Sequence, residues 1–365
     1  MKRRLLCVLA VLLILAFACT GASAEEPIGS MALSYAENYS VEHYSGGAAR
    51  LHAGEQDFLL LPAGAEIPEG LEKLPRISIP VQSLYLASSS VPDLFLQMGA
   101  LDAVRFTSTD APSWRIPELR GAVEAEDIVY IGKYSAPDYE ALLTEGCDLV
   151  VENTMILHNP ATKEKLEALG FPVLVEYSSY EPHPLGRVEW IKLYGLLCGR
   201  LPEAEAFFER QVETFRRVEN LEPLKKTVAF FHITANGGVV VRRQADYITR
   251  MIELAGAENA VTDLPPSDNA LSTETIQMES FYAQARDADV LIYNSTVAGD
   301  VTDLDSFLAR HPLLKDFKAV QTGNVWCTEM SMFQRSSAAA DMIAEIRAAV
   351  SGDSGEDLRC LHRIE

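Results

Sequence analysis

Short apolar runs of strand length alternate with amphipathic stretches of helix length along most of this chain, and two helical stretches in succession break the alternation once, near the middle. Before the break the runs are ISIPVQSLYLAS, AVRFTST, DIVYIG, CDLVVENT and FPVLVEYSS, with VPDLFLQMGA, PDYEALLTEG and NPATKEKLEALG between them. A strand covered by helices on both faces reads as a continuous apolar run. The pattern therefore predicts βαβ units around a mainly parallel sheet. Gly99, Gly146 and Gly170 each fall where such a helix would end, a position that favours glycine.

Between residues 186 and 220 the stretches GRVEWIKLYGLLCG and PEAEAFFERQVETFRRVEN both read as helices, with Pro202 in the first turn of the second. Ala204, Phe208, Val212 and Phe215 recur at helical spacing along one face of the second helix. At ~1.5 Å per residue it would span roughly 28 Å, enough to link two lobes. After Pro223 the alternation resumes through TVAFFHI, DYITRMIELAG, TETIQMESFYAQA, DVLIYNST, LDSFLARHPLL and NVWCTE, and ends in an amphipathic helix near SSAAADMIAEIRAAV. The predicted architecture is α/β, with two lobes that are each a mainly parallel sheet flanked by helices, joined by one long rigid bridging helix. The expected boundaries are 76–185 for the first lobe, 186–220 for the helices, 221–350 for the second lobe and 351–365 for a tail. Residues 25–75 read as an extension, a β-hairpin with a Gly-Gly turn followed by a proline-rich connector.

The first 24 residues have the form of an export signal. Lys2, Arg3 and Arg4 precede an apolar run over residues 5–18, too short to span a bilayer comfortably and ending in small residues. Cys19 follows Ala16-Phe17-Ala18 in a loose lipoprotein box and is the expected lipidation site. Cleavage after Ala22-Ser23-Ala24 is the alternative. Removing the leader's three basic residues leaves 28 Lys and Arg against 52 Asp and Glu, a net charge of −24. Such a surface repels phosphate backbones and anionic lipid headgroups, which argues against nucleic acid and against membrane contact beyond a lipid anchor. Cys147, Cys198, Cys327 and Cys360 are far apart and show no metal-ligand spacing, so neither a disulfide scaffold nor a metal site is expected.

Enzyme signatures are missing: no GxGxxG after a strand, no phosphate loop, no GxSxG and no HExxH. The seven histidines are scattered. No catalytic residue and no cofactor are expected. Polarity instead gathers where the predicted strands end, the edge at which open parallel sheets bind ligands. Most single serines or asparagines there would merely cap the next helix. Large side chains at loop tips gain more from a partner, and they make Trp114, Tyr134, Met155, His158, Tyr180 and Arg187 the first-lobe ligand candidates, with Arg242 and Met330 facing them. Aromatic faces stack on a macrocycle or catechol, and arginine forks to a carboxylate.

Two blocks carry a family resemblance. VYIGKYSAPDYEALLTEGCDLVVENT and TETIQMESFYAQARDADVLIYNS, set either side of the helical break, resemble the paired blocks of solute-binding proteins that serve importers of iron–siderophores, haem and cobalamin. The terminal NVWCTEMSMF resembles that family's ending, so the resemblance covers roughly residues 76–350. It departs at Cys147-Asp148, where Pro-Asp is usual, and in the lead-in at 25–75. The resemblance implies a monomer that catches a metal chelate or tetrapyrrole between its lobes and hands it to an ABC permease and ATPase. It also implies that Glu140 and Glu279, at matching places in the two blocks, dock on permease arginines. An extracellular α/β enzyme and a surface binding module without a transporter are the alternatives.

Overall fold

The computed structural model describes residues 25–266, 273–352 and 358–365. A five-stranded sheet comes first: β1 (Gly29–Ser30), β2 (Tyr39–His43), β3 (Ala49–Ala53), β4 (Gln56–Pro62) and β5 (Arg76–Ile79). It is antiparallel through β4, and β5 joins parallel to β4. The hairpin expected in this span is the β2–β3 pair, and Gly46 and Gly47 between them take positive φ of 70° and 82°. The rest of the span is richer than a connector. The run ISIPVQSLYLAS, expected as one first-lobe strand, is divided between two sheets at Pro80, which has no N–H to give a ladder.

The first-lobe sheet comprises β6 (Leu84–Leu86), β7 (Val104–Thr107), β8 (Val129–Tyr130), β9 (Leu149–Asn153) and β10 (Val173–Glu176), all parallel, in the order β10-β9-β6-β7-β8. Helices α1 (Pro92–Gln97), α2 (Pro117–Glu124), α3 (Tyr139–Glu145) and α4 (Pro160–Ala168) fill the connections. Leu149 and Val151 enter one core and Val150 another, so β9 is apolar on both faces, as its sequence run requires. Gly99, Gly146 and Gly170 follow their helices with φ of 68°, 84° and 94°.

Helices α5 (Pro184–Cys198) and α6 (Leu201–Glu219) follow. The α6 stripe of Ala204, Phe208, Val212 and Phe215 is buried throughout. The second lobe comprises β11 (Thr227–Ile233), β12 (Val239–Arg242), α7 (Tyr247–Leu254), β13 (Glu258–Asn259), β14 (Thr273–Ile276), α8 (Met278–Ala285), β15 (Val290–Tyr293), α9 (Ser295–Ala298), α10 (Leu304–Leu308), α11 (Lys318–Gln321), β16 (Val325–Thr328), α12 (Ala339–Ser351) and β17 (Leu361–Arg363). Its order is β14-β12-β11-β15-β16-β17, with β13 beside β11. The centre is parallel, whereas β12, β14 and β17 are antiparallel. The segment TETIQMESFYAQA divides at Gln277 into β14 and α8, because Thr273, Thr275 and Ile276 suit a pleated edge and the helix begins beside Glu279. Residues 361–363, expected in a tail, complete the sheet as β17. Helix α6 packs between α5 and α12, and one continuous core cluster runs from the N-terminal sheet through these helices into the second lobe.

Two buried carboxylates tie the N-terminal sheet to α5. Glu189 accepts the backbone N–H groups of Ser34, Tyr35 and Ala36 at 2.7–3.0 Å and the Lys192 ammonium at 2.6 Å. Glu181 accepts the N–H groups of Glu37 and Asn38 and the indole N–H of Trp190. A bare turn of backbone donors over an apolar helix face would otherwise go unpaired.

Candidate functional site

The carboxyl ends of β6, β7, β9 and β10 lie side by side and open onto a hollow of about 430 Å³. Ser88, Ser89, Ser90, Thr109, Asn153 and Glu176 supply its polar wall, and Met155 and Tyr180 project from its rim. These two are 51% and 47% exposed, unusual for residues of their size. The Asn153 side chain accepts the Met155 N–H at 2.9 Å and so fixes the turn that presents Met155. Glu176 ends β10 fully buried and accepts the Ser178 N–H at 2.9 Å. Burial raises its pKa, and its bonds to Ser178 and the nearby Arg187 guanidinium oppose the rise.

Arg187, near the start of α5, continues this wall toward the second lobe. Its guanidinium lies 4.2 Å from the centre of the Tyr247 ring. Together with Met251, Met332, Phe333 and Arg335 it borders a second, narrow hollow of about 40 Å³. Desolvation raises the pKa of the Tyr247 hydroxyl, and Arg187 acts in the opposite direction. The two hollows adjoin, because the lobes are fastened where they meet. Ser336 Oγ donates to the Ser90 carbonyl at 3.0 Å, and the Ser337 N–H donates to the buried Asp93 carboxylate at 2.9 Å. Gln334 bridges outward, donating to the Ser113 carbonyl at 2.9 Å and accepting the Arg115 N–H at 2.7 Å.

The structure distributes the residues singled out in the sequence unevenly. Met155 and Tyr180 line the first hollow and Arg187 stands at its junction with the second. Met330 lines a third hollow beside Arg115 and Arg120. Arg242 is largely enclosed: it pairs with Asp246 at 3.3 Å and lies against the Phe230 and Phe333 rings, so it braces the second-lobe wall. Trp114 is a correction. It is 1% exposed, packs with Ile116 and Leu119, and gives its indole N–H to the Thr109 carbonyl, leaving no face for a ligand. Tyr134 is half-buried against the outer core of the first lobe, and His158 is exposed at the end of the 154–158 turn. Neither belongs to the hollow's lining among the described residues.

His183 is likewise structural. Its Nδ1 accepts the Leu185 N–H at the start of α5, its ring packs on Tyr35 and Phe215, and burial pushes its pKa down to about 4. Glu140 and Glu279 are exposed in the first turns of α3 and α8, each helix preceding a parallel strand. Cys19 lies outside the described residues. Asp93, Tyr247, Gln334 and Arg359 were not foreseen. Asp93 reads in sequence as an ordinary first-turn acid of α1, and only its burial marks it as an inter-lobe tie.

Residues 86–329 match the family model described as periplasmic binding protein. Two uncharacterized lipoproteins of Methanocaldococcus jannaschii align at 24% identity over 60% of this chain and 27% over 71%. The chain spans about half the length (52%) of the first and 68% of the second. A periplasmic binding protein from Veillonella parvula superposes with TM-score 0.61 at 17% identity, over 86% of this chain and 98% of its own. A periplasmic haem-binding protein from Pseudomonas aeruginosa superposes with TM-score 0.59 at 17% identity, over 78% and 98%. One from Vibrio cholerae does so with TM-score 0.58 at 18%, over 72% and 97%.

Proposed function

The chain belongs to the periplasmic binding protein family, and from that premise we propose that it is the extracytoplasmic substrate-binding component of an ABC importer, capturing a metal chelate or tetrapyrrole between its lobes. Ferric siderophores, haem and cobalamin are the ligand class. The observation that carries this reading is the adjoining pair of hollows, one walled by hydroxyls and the Asn153 amide at the first-lobe strand ends, the other by arginines and methionines that include Arg335, Met251 and Met332 of the second lobe. Arg187, Arg335 and Arg359 border the second of these hollows, and Arg115 and Arg120 the third, in a chain whose net charge is −21. That concentration of guanidinium groups selects an anionic, carboxylate- or phenolate-bearing ligand. Two of the similar solved proteins are named for haem, which supports the ligand class.

Binding without catalysis is part of the reading. The carboxylate in the first hollow, Glu176, is tied to the backbone of its own turn, and among the described residues no histidine lines either hollow. We assign Met155, Tyr180, Arg187 and Met330 to ligand contact and Glu140 and Glu279 to permease docking, one per lobe. The reading includes a monomer, exported and either lipid-anchored at Cys19 on the outer face of the cell membrane or periplasmic, and the names of the lipoprotein relatives support the anchor. No helix among the described residues is long and apolar enough to cross a membrane. Native mass spectrometry of protein purified from its own host, with optical and metal analysis of what co-purifies, tests the reading. A metal-bearing or tetrapyrrole ligand is expected, and a sugar or peptide would overturn it.

A further inference from the structure

We propose that the second lobe carries a site for a bare divalent transition ion of the zinc type, built from Asp300, Cys327 and His362 and separate from the ligand hollows. Cys327 on β16 and His362 on β17 are direct cross-strand partners, so the sheet itself fixes the spacing of thiol and imidazole. Asp300 reaches them from the loop after α9. Its Oδ1 lies 3.7 Å from His362 Nε2 and 3.9 Å from Cys327 Sγ, and all three ligand atoms fall within 4.8 Å of one another. A tetrahedral zinc ion with its usual bond lengths needs ligand-to-ligand separations of about 3.3–3.6 Å. The two Asp300 separations are within a few tenths of an ångström of that range, and side-chain rotation of Cys327 and His362 brings the third pair, now within 4.8 Å, into it.

Two features distinguish the cluster from a chance meeting of acids with a histidine. The far ring nitrogen, Nδ1, lies 3.1 Å from Glu329 Oε1, the carboxylate–histidine arrangement that holds a metal-ligating imidazole in orientation. The Asp300 carboxylate is aimed by the Val301 N–H, which donates to Oδ1 at 2.9 Å, and Arg310 holds the same loop through the Ala298 carbonyl at 3.0 Å. The Val301 carbonyl, 3.1 Å from Nε2, offers one further oxygen beside the ring. The ligand set is one thiolate, one imidazole and one carboxylate, which suits a borderline ion such as Zn²⁺ and disfavours Ca²⁺ or Mg²⁺. Cys327 is buried and Asp300 exposed, which gives the ion a hydrophobic seat and an open entry. A bound ion would staple β17 and the 298–301 loop to the sheet. Because Glu329 also borders the ligand hollows, that staple would reach the cleft wall.

Chelator-treated protein should be titrated with Co²⁺ as a spectroscopic stand-in and with Zn²⁺ in competition. Expected are one ion per chain, a thiolate-to-cobalt charge-transfer band that Zn²⁺ abolishes, and a melting temperature that rises with Zn²⁺ but not with Ca²⁺. Cys327→Ser and His362→Ala should each weaken Zn²⁺ binding at least 100-fold, and Glu329→Gln should weaken it about 10–100-fold. Cys198→Ser should leave it unchanged. Co²⁺ binding without a thiolate band would overturn the site with no variant needed. Wild-type affinity in a folded Cys327→Ser protein would do the same. Neither result depends on which ligand fills the cleft.

Discussion

Removal of the Glu189 carboxylate should destabilise the protein more than any surface charge change, because four donors converge on a group with no exposure to water. Glu189→Ala strands the Lys192 ammonium, whose side chain is 11% exposed and which keeps one acceptor, the Ala32 carbonyl at 3.0 Å. Breaking a buried ion pair on one side costs about 3–5 kcal/mol. The orphaned N–H groups of Ser34, Tyr35 and Ala36 add up to about 1–3 kcal/mol each if they stay buried. Ser34 is exposed and Tyr35 and Ala36 only half-buried, so much of that second cost is relieved by water. The net expectation is about 3–5 kcal/mol, or a fall in melting temperature of about 6–10 °C at ~2 °C per kcal/mol for a chain of this size. Thermal melts by circular dichroism and amide exchange at residues 34–38 are the assays. Glu189→Ala combined with Lys192→Met should recover part of the loss, since no unpaired charge then remains. A single-variant melt within 1 °C of wild type, with residues 34–36 still protected, would refute the clamp.

Other outcomes follow from particular groups. Glu152 on β9 is buried with no hydrogen-bond partner for either oxygen among the described residues, and desolvation raises its pKa to about 8 from 4.5. The folded state therefore holds a proton that the unfolded state lacks across that window, so stability should fall as pH rises from about 4.5 to 8, by at most about 5 kcal/mol. Glu152→Gln should flatten the slope, and an unchanged slope in that variant would contradict the assignment. Glu140→Arg with Glu279→Arg should abolish uptake while leaving ligand affinity intact, since loss of one partner of a desolvated charge pair costs about 2–5 kcal/mol. Normal uptake in the double variant would remove both from docking. Cys19→Ser should release protein to the medium, and a cellular form already beginning at Glu25 would show cleavage after Ala24 instead.

The sequence carried the architecture well where apolar runs and helix ends coincide. The five strands of the first-lobe sheet, the glycine stops and the buried stripe of α6 all follow from spacing, because period and burial are local properties. One run divides where its apolar pattern gives no sign of a break. ISIPVQSLYLAS crosses an element boundary that no glycine marks, at Pro80. The candidate site was legible only in part. Met155 and Tyr180 stand in the turns just after β9 and β10, and Arg187 stands in the first turn of α5. Trp114 presents no face to a ligand, because large aromatic side chains at loop starts fold back when a local carbonyl, here that of Thr109, can take their N–H. The inter-lobe ties at Asp93 and Gln334 and the meeting of Cys327 with His362 join positions far apart in the chain, and spacing alone gives no sign of them.

In the proposed function a metal chelate or tetrapyrrole sits between the lobes, with an acidic group against Arg187. Haem, cobalamin and a panel of ferric siderophores should be titrated into the purified protein while tryptophan emission is followed, with Arg187→Ala in parallel. One of these ligands should quench emission saturably at one per chain with micromolar or tighter affinity. Loss of a charge-assisted hydrogen bond of about 1.5–3 kcal/mol should weaken it roughly 10- to 150-fold in the variant. If none of them binds while a sugar or peptide does so at micromolar levels, the assignment of ligand class and site is wrong.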